Sequence, residues 1–174
     1  ANIVAMEEEA SKLSSVNKYG AIAKFLKAYY YDYMTKRMGD IPMSEALQAK
    51  GEEAISTPKY DSQQQVYEQI LIWLEEANTQ IAEAINEVGT ANLDGDFFYE
   101  GDLNKWQKAI NAFHLRVLVT LSLHNSEMNV ASRFKTIVEN PSKYPLFESI
   151  DDNMKRVYGN ETNNFYEWNP GNYG

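Results

Sequence analysis

Apolar residues return every three or four positions along two well-separated stretches of the chain, residues 19–38 and 62–89. This spacing matches the turn of an α-helix, so each stretch is predicted to form a helix that buries one face. Ser62 and Gln65 have the spacing of a capping box at the start of the second helix, and Gly39 and Gly89 can end the two helices. The predicted core-facing positions are Ile22, Phe25, Leu26, Tyr29, Tyr33 and Met34 in the first helix and Val66, Ile70, Trp73, Leu74, Ala77, Ile81, Ala84, Ile85 and Val88 in the second.

The stretch at residues 99–124 has the densest apolar pattern and is predicted to be the central helix. Apolar residues on neighbouring faces accompany its main stripe, so the second half of this helix is expected to be buried on several sides. Asp102 stands where an N-cap belongs, because its carboxylate can accept hydrogen bonds from the free N–H groups of the first turn. The stripe comprises Leu103, Trp106, Ile110, Phe113, Val117 and Leu121, and the accompanying positions are Ala109, Ala112, Leu115, Leu118, Val119 and Leu123.

The remaining stretches predict shorter or irregular structure. A short helix is expected at residues 2–13, and Pro42 favours an extended backbone at the preceding Ile41. Ser126 can cap a further helix that ends near Asn140 and Pro141. A loop or weak helix is expected at 44–58 and a loop at 90–101. The punctuation by Gly, Pro and Asn at 141–174 predicts loops with at most one strand.

Long helices that follow one another without alternating strand patterns favour an all-α fold. We expect TPR-like antiparallel helical hairpins that stack into an α-α superhelix, although the helix spacing follows no counted repeat. The pattern divides the chain into two regions. Residues 1–140 are predicted to form the TPR-like helical scaffold, and residues 141–174 an irregular, loop-rich tail that could begin a ligand-binding region.

Composition narrows the possible partners. The 174 residues, 44% of them hydrophobic, suffice for one ordinary core or for a stack of hairpins that share a core. A net charge of -9, from 16 basic and 25 acidic residues, argues against nucleic acid and against an anionic membrane surface as binding partners.

The chain has no cysteine, which excludes disulfides, thiolate catalysis and Cys-ligated zinc. Its start has neither an initiator methionine nor a signal sequence, so we expect a processed or excised fragment.

Three segments in order resemble the SusD/RagB family of Bacteroidota outer-membrane lipoproteins, and especially its SusD-like branch. They are AIAKFLKAYYYDYMTKRMGDIPMSEAL, which contains a Gly-Asp-Ile-Pro turn, then PKYDSQQQVYEQILIWLEEA, then FFYEGDLNKWQKAINAFHLRVLVTLS. Three segments in a fixed order are more specific than any one of them. The resemblance covers residues 19–158 and implies that the chain is a fragment from the TPR-like helical middle of a longer family member.

The resemblance also implies a function and a location. Family members are lipid-anchored in the outer membrane, face the cell exterior, and deliver glycans or other nutrients to a SusC-type TonB-dependent transporter. For this chain the resemblance implies a nutrient-binding, non-catalytic surface lipoprotein without a cofactor. Its partners would be the transporter and an oligosaccharide or other nutrient, and it would touch the membrane only through a lipid anchor absent from this chain.

The central helix departs from the family pattern at one place. Where members have Asn-Ser-Leu-Arg-Leu-Arg after the Lys-Trp pair, this chain has Asn111, Ala112, Phe113, His114, Leu115 and Arg116. We expect these positions to pack the helix and not to contact sugar. No site residue is therefore transferred from the family.

The loop before the central helix suggests calcium. Asp94, Asp96, Glu100 and Asp102 offer the oxygen ligands that this ion prefers, on a segment that contains a glycine. Their spacing is not that of an EF-hand. A solvated acidic loop followed by a helix cap is the expected arrangement, and no metal site is predicted.

The sequence contains no legible catalytic constellation. His114 and His124 are ten residues apart on one predicted helix, too far apart to share a metal ion with helical geometry, so ordinary core or surface histidines are expected. A pair of carboxylates that could hydrolyse a glycoside cannot be chosen among 25 acidic residues without geometry. We predict no catalytic residue.

Aromatic residues indicate where a sugar could bind. Tyr29, Tyr30, Tyr31 and Tyr33 follow one another on a helix, where successive side chains point about 100° apart, so most of them are expected in the core. The tail aromatics stand among Asn, Glu and Gly, a mixture that suits the C–H faces and hydroxyls of a carbohydrate. The candidate ligand-binding residues are Tyr158, Phe165, Tyr166, Trp168 and Tyr173, with packing on a core as the alternative.

Two function classes are supported by the sequence. The ordered resemblance favours a nutrient-binding lipoprotein. The hairpins by themselves would suit a helical scaffold for protein–protein interaction without a small-molecule ligand. An enzyme has no positive signal in the sequence.

Overall fold

The computed structural model describes residues 2–13, 17–49, 54–90 and 93–155. This part of the chain contains six α-helices and no β-strand, which confirms the all-α prediction. None of these helices is long and apolar enough to span a membrane. The helices are α1 Asn2–Ser11, α2 Lys18–Met38, α3 Gln63–Val88, α4 Leu103–Thr120, α5 Asn125–Met128 and α6 Val130–Glu139, with 3-10 helices at Ser122–His124 and Ile150–Asp152.

The helices α2 and α3 form an antiparallel hairpin. At one end, the Gln63 side chain donates a hydrogen bond of 2.7 Å to the carbonyl oxygen of Thr35. At the other end, Lys24 Nζ lies 2.6 Å from a carboxylate oxygen of Glu76. Because the first residues of α3 meet the last turn of α2 and later residues of α3 meet the start of α2, the two helices run in opposite directions.

One carboxylate organises the connection between these helices. Ile41 and Asp61 form an isolated antiparallel bridge, with backbone hydrogen bonds of 3.2 and 3.0 Å. The Asp61 carboxylate accepts hydrogen bonds from the N–H groups of Met43 and Ser44 and from the Ser44 hydroxyl, at distances between 2.7 and 2.9 Å. These bonds, first among them the one from the Ser44 N–H, lower the pKa of Asp61. The extended backbone predicted at Ile41 is confirmed.

Capping residues set the helix ends as predicted. The Ser62 hydroxyl accepts from the Gln65 N–H at 3.3 Å, and the Gln65 side chain accepts from the Ser62 N–H at 2.9 Å, which completes the capping box of α3. Asp102 caps α4 by accepting a hydrogen bond of 2.9 Å from a first-turn N–H. Gly39 and Gly89 end α2 and α3, both at positive φ.

The core lies where α2, α3 and α4 meet. Phe25 of α2 contacts Trp106 and Phe113 of α4 edge-on, with ring centroids 6.0 and 5.7 Å apart. The helix α4 packs against α2, α3 and α6, as predicted for a central helix. The helix α3 supplies many of the completely buried side chains, namely Val66, Ile70, Leu71, Leu74 and Ile81.

The second half of α4 is not buried on all sides. The helix ends at Thr120, and Val119 and Leu123 are 60% and 94% exposed. The predicted burial on several sides is therefore wrong for these two residues. Apolar periodicity shows which residues share a helix face, but it does not show how many faces other elements cover.

The single helix predicted to begin near Ser126 is divided in two. Asn129, at φ 53° and ψ 38°, adopts the left-handed conformation between α5 and α6. Asparagine adopts this conformation more readily than most residues. The side-chain oxygen of Asn125 accepts a hydrogen bond of 2.7 Å from the Ala131 N–H in the first turn of α6. Asn125, and not the predicted Ser126, thus supplies the side-chain acceptor for an N–H group in the first turn of α6.

The described part of the irregular tail packs on the helices and contains no strand. The buried amides of Asn78 and Gln107 donate to the carbonyl oxygen of Lys143, at 3.2 and 3.4 Å. The buried Asn111 donates to the carbonyl oxygen of Pro145 at 3.1 Å. Side chains of α3 and α4 therefore satisfy carbonyl groups that have no partner in regular secondary structure.

A second set of contacts joins this segment to the start of α4. The Tyr99 hydroxyl donates a hydrogen bond of 2.8 Å to the carbonyl oxygen of Asp152. Lys108 Nζ lies 2.7 Å from a carboxylate oxygen of Glu148 and 3.2 Å from one of Asp152. The N–H of Glu148 and the Lys108 ammonium lower the pKa of Asp152. The segment is therefore bonded to the helices at two places, residues 143–145 and residues 148–152.

We expect Trp106→Ala to lower the free energy of unfolding by about 3–5 kcal/mol. The ring is 3% exposed, lies against Phe25 and Tyr99, and donates its indole N–H to Asp96 at 2.7 Å, so the variant loses both burial and a hydrogen bond. Urea unfolding would measure the loss. Tyr60→Ala, which truncates a ring that is 68% exposed, is the control and should change stability by less than about 0.5 kcal/mol. A loss below about 1 kcal/mol at Trp106 would contradict the central position of α4.

Candidate functional site

The candidate ligand contacts Tyr158, Phe165, Tyr166, Trp168 and Tyr173 lie outside the described residues, so their role stays a prediction. The described residues present two other surfaces of distinct chemistry. One is a tyrosine-rich face of α2, and the other is an apolar groove between α4 and α6.

The acidic loop before α4 is held together by its own carboxylates. Asp96 accepts hydrogen bonds from the N–H groups of Phe98 and Gly101, at 2.9 and 3.1 Å, and from the Trp106 indole. Asp102 is engaged in capping α4. Within the described ranges, His, Asp and Glu side chains form no group that could hold a metal ion. The geometry is that of a structural loop and a helix cap.

The two histidines occupy different environments. His114 is 5% exposed, and its Nδ1 has no hydrogen-bond partner among the described residues. Burial lowers its pKa to about 4; the nearby Arg133 acts in the same direction and Glu75 in the opposite one. His124 is exposed, with Nδ1 3.2 Å from a carboxylate oxygen of Glu127. His114 is thus a core histidine and His124 a surface histidine.

Most of the α4 positions that depart from the family pattern pack the helix, as predicted, whereas Arg116 is exposed. Phe113 and His114 are buried, and Asn111 is completely buried against the irregular tail. The Arg116 guanidinium lies over the Phe113 ring, 4.6 Å from its centroid. These side chains stabilise the scaffold.

The tyrosines of α2 do not lie mainly in the core. Tyr29, Tyr30 and Tyr33 are 39%, 51% and 50% exposed, and Tyr31 is partly buried against α3. Tyr33 and Met34, both predicted to face the core, point to the outside. The prediction is wrong because the buried face of α2 runs through Ala21, Phe25 and Ala28, and at about 100° per residue Tyr33 and Met34 fall outside it.

Neighbouring side chains hold the exposed rings in place. The ring of Tyr29 meets that of Tyr30 edge-on, at 89° and 5.6 Å between centroids, and packs against Phe113 at 5.5 Å. The Arg37 guanidinium lies over the Tyr33 ring, 3.4 Å from its centroid, and donates to the Tyr33 carbonyl oxygen at 3.0 Å. The face is therefore ordered, and one side of the Tyr33 ring is already covered.

The groove between α4 and α6 has a volume of about 310 Å³. Its walls are mainly aliphatic and aromatic, and its lining contains neither a carboxylate nor a histidine. The groove therefore offers apolar contact and few hydrogen bonds. The lining residues are Leu118, Val119, Ser122, Asn125, Val130, Ala131, Phe134 and Lys135.

Sequence reasoning missed the three amides that fix the irregular tail. Asn78, Gln107 and Asn111 lie on predicted helices beside core positions, and all three are buried. A polar side chain next to an apolar stripe is expected to be buried, and a buried polar side chain needs another group as its hydrogen-bond partner. This pattern indicates buried amides, but it does not indicate that their partners are carbonyl groups some 30 or more residues later in the chain.

A family profile described as SusD-like, starch-binding and associating with the outer membrane matches residues 1–171. The chain therefore belongs to the SusD-like family, as the three ordered segments predict. Among proteins with curated descriptions, none matches the chain.

Solved structures of SusD homologues match the fold. One from Bacteroides fragilis is 39% identical, with a TM-score of 0.80 over 95% of this chain and 34% of its own. A second from the same species is 36% identical, with a TM-score of 0.75 over 90% of this chain and 32% of its own. A chitin-binding SusD homologue from Flavobacterium johnsoniae shares the fold at 22% identity, with a TM-score of 0.69 over 87% of this chain and 30% of its own.

The chain thus spans about a third of the length of these relatives. The prediction of a TPR-like helical scaffold that forms part of a longer SusD-like fold is confirmed.

We expect acidification to destabilise the protein through His114. The pKa of its ring is about 4 in the folded chain and 6.5 without the effects of folding, so below pH 6.5 the unfolded chain binds a proton that the folded chain does not. Stability is lost as the pH falls between these two values, by about 2 kcal/mol at about pH 5. Thermal melts at a series of pH values would measure the decline. The stability of His114→Leu should fall less than that of the wild type, by that amount; equal declines in the two proteins would contradict the assignment.

Proposed function

We propose that this chain is part of a nutrient-binding surface lipoprotein that captures a glycan and delivers it to a SusC-type TonB-dependent transporter. The family match over residues 1–171, with its description of starch binding and outer-membrane association, carries the proposal. The chitin-binding homologue from Flavobacterium johnsoniae has the same fold, which supports a polysaccharide-derived ligand. The protein would be lipid-anchored and would face the cell exterior.

The proposed role is binding and not catalysis. The carboxylates of Asp96 and Asp102 are engaged with N–H donors, and Asp61 is engaged in the same way. The buried His114 is neutral at physiological pH and has no carboxylate hydrogen-bonded to Nδ1. In the described ranges these titratable groups hold the scaffold together, which supports a binding function.

We place ligand contacts on the tail aromatics, chiefly Trp168 with Phe165 and Tyr166. Flat rings match the C–H faces of pyranoses, and the neighbouring Asn and Glu side chains can bond to hydroxyl groups. The relatives are about three times as long as this chain, so the complete binding site is expected to include segments outside the matched third.

A helical interaction scaffold is the second candidate. The apolar groove between α4 and α6 favours it, because apolar surfaces of this kind often mark contacts with other polypeptides. Saturable affinity for an oligosaccharide separates the two functions, since a pure scaffold would bind only a protein partner.

We expect Trp168→Ala to weaken binding of malto- or chitooligosaccharides by about tenfold or more while the melting temperature stays within about 1 °C of the wild type. Calorimetric titration and thermal melts on the same variant would measure both quantities. Tyr60→Ala removes a ring from another exposed position and should alter neither. A melting temperature lowered by several degrees would show that Trp168 packs inward. Undetectable binding by the wild type would refute the tail as a sufficient site.

We also expect no release of reducing sugar from any of these oligosaccharides during prolonged incubation with pure protein. The carboxylates of Asp61, Asp96 and Asp102 are bonded to N–H groups of the scaffold, which does not suit an acid–base pair for glycoside hydrolysis. Turnover that disappears on replacement of one carboxylate by its amide would overturn the non-catalytic assignment.

A further inference from the structure

A second apolar stripe runs along α2, on the side away from α3 and α4. It consists of Tyr30, Tyr33, Met34, Arg37 and Met38, which follow the i, i+3, i+4, i+7, i+8 spacing of one helix face. Every member is exposed, from 37% at Met34 to 69% at Met38. With about 100° per residue, this outer stripe lies opposite the buried face of the same helix. The buried face carries Ala21, Phe25, Ala28, Asp32 and Thr35.

The composition of the outer stripe is that of an interface. Tyr, Met and Arg are enriched where proteins make contact, whereas Lys, Glu and Asp are depleted. The chain has 25 acidic residues, yet the outer stripe has none, and its one charged group, Arg37, is stacked on Tyr33. The helix α2 is thus apolar on two opposite faces, which is the pattern of a helix covered on both sides.

We propose that a further α-helix of the longer SusD-like polypeptide packs along the outer stripe. In the relative from Bacteroides fragilis, about two thirds of the chain lies outside the part that this protein matches, so there is ample polypeptide to supply such a helix. Side chains at the spacing of the outer stripe form ridges on the surface of α2. Such ridges fit into the grooves of a second helix when the two axes are about 8–10 Å apart. In stacked hairpins each helix has neighbours on both sides. In the described residues α3 and α4 pack on one side of α2, and α1 packs on its first half, where Glu7 pairs with Lys27, so the outer stripe on the second half of α2 is the part without a neighbour.

The covering helix has a definable chemistry. It should present an apolar stripe to Tyr30 and Met34, with Asp or Glu at the edge that passes Arg37. Carboxylates on the covering helix would meet the Arg37 guanidinium in a partly desolvated contact, where charge-assisted hydrogen bonds are strongest.

A helix fits this surface better than a sugar does. Sites for small ligands are concave, whereas the outer stripe is the convex face of one helix. The rings also already contact neighbouring side chains. Arg37 covers one face of the Tyr33 ring, and Tyr29 meets Tyr30 edge-on. The proposal rests on family membership and on this surface, and it does not depend on the identity of the nutrient.

The test compares this 174-residue chain with the full-length Bacteroides fragilis homologue. In this chain, Tyr30→Glu with Met34→Glu should shift the melting temperature by less than about 2 °C, because both side chains already face water. Glutamates at the aligned positions of the homologue should lower its melting temperature by about 5 °C or more, because two charges would be forced into a helix contact. Tyr30→Phe with Met34→Leu keeps the outer stripe apolar, and this control should leave both proteins unchanged.

Two results would overturn the proposal. If the homologue tolerates the glutamates as well as this chain does, no helix covers the outer stripe. In that case, sedimentation showing a wild-type dimer that the glutamates dissociate would assign the surface to a second copy, and loss of chitooligosaccharide binding without a stability change would assign it to sugar. If the double variant of the homologue does not fold, a single glutamate at the position of Met34 supplies the measurable shift, and an unchanged melting temperature there would equally contradict the covering helix.

Discussion

The burial of Trp106 is the constraint on which the rest of the structure depends. An indole can occupy the centre of a core only if its N–H finds an acceptor, and Asp96 supplies it at 2.7 Å. The same carboxylate accepts backbone N–H groups and so shapes the loop that leads into α4. That loop positions Tyr99, whose hydroxyl reaches the carbonyl oxygen of Asp152 and fixes the irregular tail. One buried ring therefore links the α2–α4 contact through Phe25 to a loop and to a distant segment.

The parts of the fold that were predictable from the sequence are those set by local chemistry. A capping box needs only Ser62 and Gln65, and an N-cap needs only Asp102 and the backbone that follows it. The misassigned residues depend on partners remote in sequence. Tyr33 and Val119 continue an apolar period, yet both are exposed, because period alone does not say which faces are covered.

The candidate site illustrates the same limit in another way. The tail aromatics were selected for their polar neighbours, a compositional argument that describes what a loop could bind and not where it lies. By contrast, the buried amides of Asn78, Gln107 and Asn111 hold the start of the irregular tail against the scaffold through carbonyl groups of Lys143 and Pro145. These contacts place residues 143–145 firmly on α3 and α4.

Two apolar surfaces of this chain lack a covering element among the described residues, namely the outer stripe of α2 and the groove between α4 and α6. They differ in what they imply. The groove is lined mainly by aliphatic and aromatic side chains and accepts many apolar shapes, so its chemistry does not select an occupant. The outer stripe has helical spacing, contains no acidic residue in a chain of net charge -9, and holds Arg37 on an aromatic ring. The side chains of the outer stripe repeat with the period of a helix, its charge is only positive, and its rings are held in place. Such a surface fits a long, regular partner element. Among such elements, an α-helix matches the ridges of another helix.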